Sequence, residues 1–353
     1  MSSDWPNWYE GPQLAKCAVV LFNLGGPDSL EAVQPFLFNL FNDPAIIALP
    51  NPFRWLTAKL IARRRAPIAQ EIYRQIGGQS PLLELTREQA KALKTQLDED
   101  TEVFISMRYW HPMSLSTAKA VQNYDPDEII LLPLYAQFST TTTQSSFQDW
   151  HKTARKIGLD KPTTSICCYP TEPNFIKAQV DLLTQELTAS EVPTRVLFSA
   201  HGLPKKVIEK GDPYQQQIEQ TAAAIAAAAD LGDDSWRVCY QSRVGPLEWL
   251  APSLDDELKR AAEDKIGVTV LPIAFVSEHS ETLVELDIEY REIAGELNLP
   301  TYNRVPTVGT HPDFMTCLTD LINQASAGQD QIISDKRLRI CSPDRTCCAQ
   351  NVR

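Results

Sequence analysis

Glu281, Glu285 and Glu289 recur at every fourth residue, two positions after His279. At about 100° per residue of an α-helix they would stand one above another, drifting ~40° per step, as a ladder of carboxylates along one side. Like charges at that spacing repel by roughly 0.2–0.5 kcal/mol per pair on a solvated face, and burial raises their pKa values further. Val284 and Ile288 flank the ladder on one side, and Leu283, Leu286, Tyr290 and Ile293 on the other. That pattern is unlike an ordinary polar face, although a solvated acidic helix is the plain alternative. Mobile protons and hard divalent cations both suit a row of carboxylates that leads to an imidazole. A second imidazole, His201, lies elsewhere in the chain, and a neutral histidine can take a proton from a weakly acidic N–H near neutral pH.

These side chains need elements to hold them. The run VTVLPIAF (268–275) is nearly continuous in apolar residues, as expected of a strand covered on both faces. It predicts a strand to Phe275 and a helix from Ser277 or Ser280, either of which can cap the first turn. His201 likewise ends RVLFSA (195–200), so both histidines stand at carboxyl ends of strands, where open α/β sheets place their ligands. Further strands are predicted at 17–23, 101–106, 128–135, 164–169, 236–241 and 302–305, with helices at 174–187, 212–230 and 311–325. Several of these strands run into groups suited to binding: Gly25-Gly26, Arg108-Tyr109, the Thr140–Thr143 loop, and Ser242 with Trp249. The Gly-Gly turn lacks GxGxxG spacing, so it carries no dinucleotide claim. The threonine loop reads equally as a binding floor or a helix cap.

Strand and helix alternate, and the pattern restarts near residue 195. The fold class is α/β, with two similar Rossmann-like halves, each a doubly wound parallel sheet, and a cleft between them. The halves are drawn at 14–172 plus 313–332 and at 173–312, with a Cys-containing extension at 333–353.

With 353 residues, 43% of them hydrophobic, the chain is long enough for two cores. Its net charge of −12 argues against nucleic acid as a partner. An acid-bearing N-terminus and the lack of any apolar run of spanning length predict a cytoplasmic protein. Residues 36–66 run against the global charge: no acid stands between Asp43 and Glu71, while Arg54, Lys59, Arg63, Arg64 and Arg65 follow a stretch rich in Phe, Leu and Ile. Such a segment suits an anionic membrane surface, the greasy rim of a pocket for a flat apolar ligand, or a core helix with a solvated Arg cluster. Of the eight cysteines, Cys17, Cys239 and Cys317 sit in apolar runs and are expected in the core. The vicinal pair Cys167-Cys168, and Cys341, Cys347 and Cys348 near the end, point to metal or redox chemistry in a reducing compartment.

Together these pieces resemble a known family. LFNLGGPDS (21–29), YRQIGGQSP (73–81), MRYWHP (107–112), FSAHGLP (198–204) with GDPY (211–214), YQSRVGP (240–246) with Trp249, and PIAFVSEHSETLVELDIEY (272–290) are similar, in order, to the motifs of ferrochelatase. That enzyme inserts ferrous iron into a porphyrin at the end of haem synthesis. The resemblance implies protoporphyrin IX and Fe²⁺ as substrates. It makes His201 the base for the pyrrole protons or a metal-side residue, with Glu281, beside His279, facing it across the macrocycle. Glu285 and Glu289 continue the row as proton exit or metal entry, so that His201, Glu281, Glu285 and Glu289 are the metal-side set. Leu24, Arg108, Tyr109, Ser242 and Trp249 are implied to contact the ring. The coproporphyrin-using branch carries tyrosine at the position of Leu24, which favours protoporphyrin here. By the same resemblance the 36–66 segment is a pocket lip that touches the membrane, so the protein would be peripheral on the inner membrane, and a homodimer is admitted. Some members hold a [2Fe–2S] cluster with one internal and three C-terminal cysteines. Here that implies Cys341, Cys347 and Cys348 with Cys167 or Cys168, although the Cys341-x5-Cys347-Cys348 spacing departs from the animal one. Two rivals remain: a chelatase for a more carboxylated tetrapyrrole, which would need more basic residues, and a haem or metal carrier, which would need no base.

Overall fold

The computed structural model describes residues 15–243, 245–328, 331–336 and 339–351. The N-terminal segment on which the reading of location rests lies outside them. Among the described residues no helix is long and apolar enough to cross a membrane.

The apolar runs become central strands because helices cover them on both faces. β1 (Cys17–Asn23) is buried along its length and lies parallel between β2 (Thr101–Met107) and β3 (Glu128–Pro133), with Cys17 opposite Thr101 on one side and Glu128 on the other. β4 (Thr163–Cys168) continues this sheet beyond β3. In the second sheet β5 (Thr194–His201) lies between β6 (Trp236–Gln241) and β7 (Gly267–Pro272), with β8 (Tyr302–Arg304) beyond β7. The chain then returns to the first sheet as β9 (Ile332–Ser334), parallel to β4. Both sheets are parallel and doubly wound, as the α/β alternation requires. β9 straddles the boundary drawn between 332 and 333, so the Cys-bearing extension leaves the sheet only after Ser334.

Strand order reverses beside β1 in one sheet and beside β5 in the other, and such switch points open a crevice at the carboxyl ends of the strands. β5 ends on His201, and the segment after β7 carries His279 and Glu281. β7 stops at Pro272, earlier than the predicted Phe275. Proline has no N–H to donate to the ladder, and the backbone turns at once, with Phe275 N bonded to Pro272 O at 3.2 Å. Cys17, Cys239 and Cys317 are core residues, as their apolar surroundings predict.

The basic apolar segment forms two packed helices, α1 (Val33–Phe41) and α2 (Phe53–Arg74). Ala58, Ala62 and Ala66 are the buried side of α2, and such small side chains allow a close approach. Its other side exposes Phe53 (63%), Leu56 (55%) and Ile68 (67%). A buried carboxylate fastens this lip to the first half. Asp43, just past α1, accepts from Arg108 Nη2 at 2.6 Å, from the Tyr109 hydroxyl at 2.9 Å and from the Ser145 hydroxyl. α3 (Leu82–Lys94) follows and packs its apolar stripe against the first sheet.

Candidate active site

The carboxyl end of β5 places His201 Nδ1 2.9 Å from Glu281 Oε2. An ionised carboxylate can only accept, so Nδ1 carries the hydrogen and Nε2 is left as the free ring nitrogen. His279 Nε2 lies 3.7 Å from the same Glu281 oxygen, and its ring stacks edge-on against Phe275 at 4.5 Å. The expectation that a macrocycle separates His201 from Glu281 is therefore corrected: a direct hydrogen bond leaves no room for a ring between them, and both groups belong to one wall of the site.

The carboxylate row is held, and unlike the predicted ladder it is not an α-helix. From Glu281 to Glu289 the chain forms a π-helix, which gives way to an α-helix at Tyr290–Glu296. Its last turn shows the wider ring directly: Tyr290 N donates to Glu285 O, five residues back. Neither serine caps the start. Ser280 makes no side-chain cap, the Ser277 hydroxyl goes elsewhere, and Thr282 Oγ1 accepts from His279 N instead, at 3.0 Å. Arg304 clamps the outer side, with Nη1 2.6 Å from Glu278 Oε1 and Nε 2.9 Å from Asp287 Oδ1. On the inner side Gln241 Nε2 donates to Glu281 O and to Glu285 Oε2, each at 3.0 Å. Ser242 adopts a left-handed backbone (φ 62°) that aims both its N–H (2.7 Å) and its hydroxyl (2.5 Å) at Glu285. The wider helix thus has a tertiary cause, namely that one face must meet Arg304 while the other meets the end of β6.

Proton affinities diverge along this row. For His201, burial works against the charged form, but the Glu281 carboxylate outweighs it and holds the imidazole above its ordinary pKa. For Glu281, burial is likewise outweighed, here by His201 and then His279, and its pKa lies well below the usual carboxylate range. Glu285 goes the other way: burial and the neighbouring Glu281 charge raise its pKa despite the Ser242 and Gln241 bonds. Adjacent carboxylates with opposite shifts are suited to passing protons.

These groups open into a cavity of about 1350 Å³, larger than the ~300–1,000 Å³ typical of pockets for drug-sized ligands. The second half contributes His201, His279, Glu281, Glu285, Ser242 and Trp249, and the row reaches the exposed Glu289. The first half contributes the apolar wall, including Leu24, Phe36, Leu37 and Tyr109. Gly25 lines it too, and its φ of +82° is a backbone only glycine adopts freely. Ser139, Thr141 and Thr142 reach the cavity while Thr142 makes no side-chain cap, so the threonine loop is a floor rather than a cap. Arg108 is the exception among the expected ring contacts. It is absent from the cavity wall, because Asp43 and Ser145 engage its guanidinium behind the lip. Two residues were missed, Tyr73 and Gln241, although both lie inside quoted motifs. Tyr73 ends the lip helix, meets Ser280 across the cavity, and is pushed up to about 12 by burial.

The extension brings some thiols together. Cys167 Sγ is 3.3 Å from Cys168 Sγ, and Gln217 Nε2 lies 3.4 Å from Cys168 Sγ and 3.2 Å from Cys341 Sγ. Cys348 pairs with Cys341, and that bond, ahead of an opposing burial effect, pulls its pKa down to about 6. Cys347 turns outward to Lys210 O at 3.3 Å. Among the described residues no three Cys, His, Asp or Glu side chains are disposed to hold one metal ion. The five cysteines do not fit a cluster as arranged, because the Gln217 amide lies between Cys168 and Cys341 and Cys347 is directed away. His201, Glu281 and Glu285, of the expected metal-side set, stand in a hydrogen-bonded row that leads to Glu289.

Fold and site together define a class, the chelatase fold of two α/β halves closing on an acid–imidazole cleft. SirB of Bacillus subtilis, solved with Fe³⁺, has this fold, with a TM-score of 0.55 at 11% identity over 89% of this chain and 98% of its own. The sequence places it more narrowly. The ferrochelatase family profile matches residues 16–326, and the chain belongs to that family and is a metal chelatase. It is 49% identical over 312 residues to the ferrochelatase of Pelagibacter ubique (87% of this chain, 90% of that one). It is 48% identical over 340 residues to that of Caulobacter vibrioides (94% and 97%).

Proposed function

We propose that this chain inserts Fe²⁺ into protoporphyrin IX, giving protohaem and two protons, with His201 as the base. The observation that carries this reading is the His201–Glu281 pair opening into a large cavity whose opposite wall is apolar. Neutral His201 accepts a pyrrole proton at Nε2, and Glu281 on Nδ1 orients the ring and stabilises the imidazolium that forms. Glu285, with its raised pKa, can hold a proton that Glu281 cannot, and Glu289 delivers it to solvent. Each turnover moves two N–H protons outward as one dication enters. Fe²⁺ is cargo, and a row of acids and imidazoles that binds it only in passing is suited to letting it go. Leu24 and the Phe36–Leu37 wall favour the less carboxylated ring.

The test is anaerobic incubation with protoporphyrin IX and Fe²⁺ or Zn²⁺, followed spectrally, beside the same assay with a coproporphyrin. Protoporphyrin is expected to be metallated faster. No product, or preference for the coproporphyrin, would overturn the assignment.

The lip supports a second part of the reading, contact with an anionic membrane surface. Exposed Phe53, Trp55, Leu56, Leu60 and Ile68 share α2 with Lys59 and Arg63. The protein is expected to co-sediment with phosphatidylserine-containing vesicles. Leu56→Gln with Leu60→Gln should weaken this roughly tenfold or more, given ~1.5–3 kcal/mol for fully burying a leucine. Unchanged partitioning would count against the contact.

A further inference from the structure

Between Pro272 and the π-helix the chain has left the sheet, yet this segment carries Val276, Ser277 and His279 into the cavity wall and sets where Glu281 begins. Its own half ties it at Ile273 N to Ser199 O (3.0 Å), at Val276 O to Gly309 N (3.1 Å) and at Glu278 to Arg304 Nη1 (2.6 Å) and Thr307 N (2.9 Å). The other half adds a tie at its middle. Gln89, in the middle of α3, has no exposed surface. Its Nε2 donates to Val276 O and to Gly309 O, each at 2.9 Å, and its Oε1 accepts from Ser277 Oγ at 3.0 Å. The amide orientation is fixed by chemistry, because two carbonyls can only accept. All three bonds cross between the halves, over sequence separations of 187, 220 and 188 residues. Gln89 itself does not line the cavity.

We infer that Gln89 is a positioning residue for metallation: from the half that bears the apolar wall, it pins the two loops that place His279 and Glu281. The assay rests on the chelatase reading, but the geometry does not. Two α/β halves joined at a cleft can rock against one another, and a single amide satisfying both loops ties the acid–imidazole wall to the wall facing it. Removing the amide takes the Gln89 donor from Gly309 O, one of two donors from Val276 O, and the acceptor from the buried Ser277 hydroxyl. The segment then has no lateral tie from α3, and the row drifts from the ring it must address.

Gln89→Met keeps length and removes every hydrogen bond. It is expected to lower kcat for Zn²⁺ insertion by about 10–100-fold, the cost of an ångström-scale misplacement, with KM for protoporphyrin IX within about threefold. Gln89→Glu is the conservative partner. Its carboxyl, buried between two carbonyl oxygens, can donate one bond when protonated and none when ionised. Its rate should therefore lie between the wild type and Gln89→Met at low pH, and fall relative to the wild type as pH rises. Gln89→Met should show a deficit that does not vary with pH. Hydrogen exchange of ligand-free protein should quicken in residues 273–283 of Gln89→Met while β1 and β3 keep their protection. Wild-type kcat with unchanged local exchange in both variants would overturn the inference. So would exchange raised uniformly, with the rate lost only in proportion to the unfolded fraction. Should the wild-type chain metallate no protoporphyrin, the exchange comparison still decides on Gln89, and the substrate reading alone falls.

Discussion

His201→Ala is expected to lower metallation by about 10³-fold, inside the ~10²–10⁴ range of a positioned general base, while the porphyrin still binds. The two effects separate because the ring's binding surface comes from the apolar wall of the first half and from Trp249, none of which touches His201 through a hydrogen bond. What the variant loses is the Nε2 left free on the ring whose Nδ1 is bonded to the Glu281 carboxylate. It also takes from Glu281 the neighbour that does most to hold its pKa down, so the carboxyl drifts upward and retains a proton it should pass on. Porphyrin fluorescence on titration gives the binding arm, and stopped-flow formation of zinc protoporphyrin gives the rate. Added imidazole should recover part of the rate, because the cavity is large enough to admit it. A variant that metallates at the wild-type rate would remove His201 from the chemistry and leave a ring-binding protein whose base is elsewhere.

The parts legible in the sequence were those that depend on neighbours along the chain. β1 and β6 coincide with the predicted 17–23 and 236–241, because an apolar run bounded by polar residues carries its own ends. The strand before the acid row was overextended because Ile273 and Phe275 are as apolar as what precedes them, and only Pro272 signals that the ladder ends. The π-helix was not legible. The four-residue spacing of Glu281, Glu285 and Glu289 matches an α-helix, and what widens it is Arg304 on one face and Gln241 with Ser242 on the other. His201 and Glu281 were both singled out, but their mutual placement follows from two strands pairing across 80 residues of chain. Arg108 shows the same limit from the opposite direction. At the end of β2 beside Tyr109 it reads as a ring contact, whereas its partner Asp43, 65 residues earlier, draws it behind the lip. The thiols also needed the fold. Sequence put five cysteines in two places, and only the packing of the tail against Gln217 separates Cys347 from the rest.

Glu281→Gln makes the electrostatics of the row measurable. Two effects act on His201 in the folded protein: burial, which lowers its pKa, and the Glu281 carboxylate, which raises it and prevails. The amide keeps the hydrogen bond to Nδ1–H through its oxygen but removes the charge, so burial is left largely unopposed and the pKa of His201 falls. A base that must be neutral to work is switched off by acid, and the acid limb of the pH–rate profile follows that pKa. In the wild type the limb should therefore lie above the ordinary imidazole value of about 6.5, and in Glu281→Gln it should move to lower pH. The rate at the plateau should fall all the same, by about 10²-fold, because the weaker base has a smaller driving force and its imidazolium lacks a counter-ion. Glu285 responds too. The Glu281 charge is one cause of its raised pKa, so removing that charge lets Glu285 ionise more readily and hold its proton less well. A solvent proton then has a less basic row to leave by. Separate pH–rate profiles for kcat and kcat/KM on both proteins decide the matter, and an acid limb that stays in place or moves to higher pH would mean that the ion pair does not set the basicity of His201.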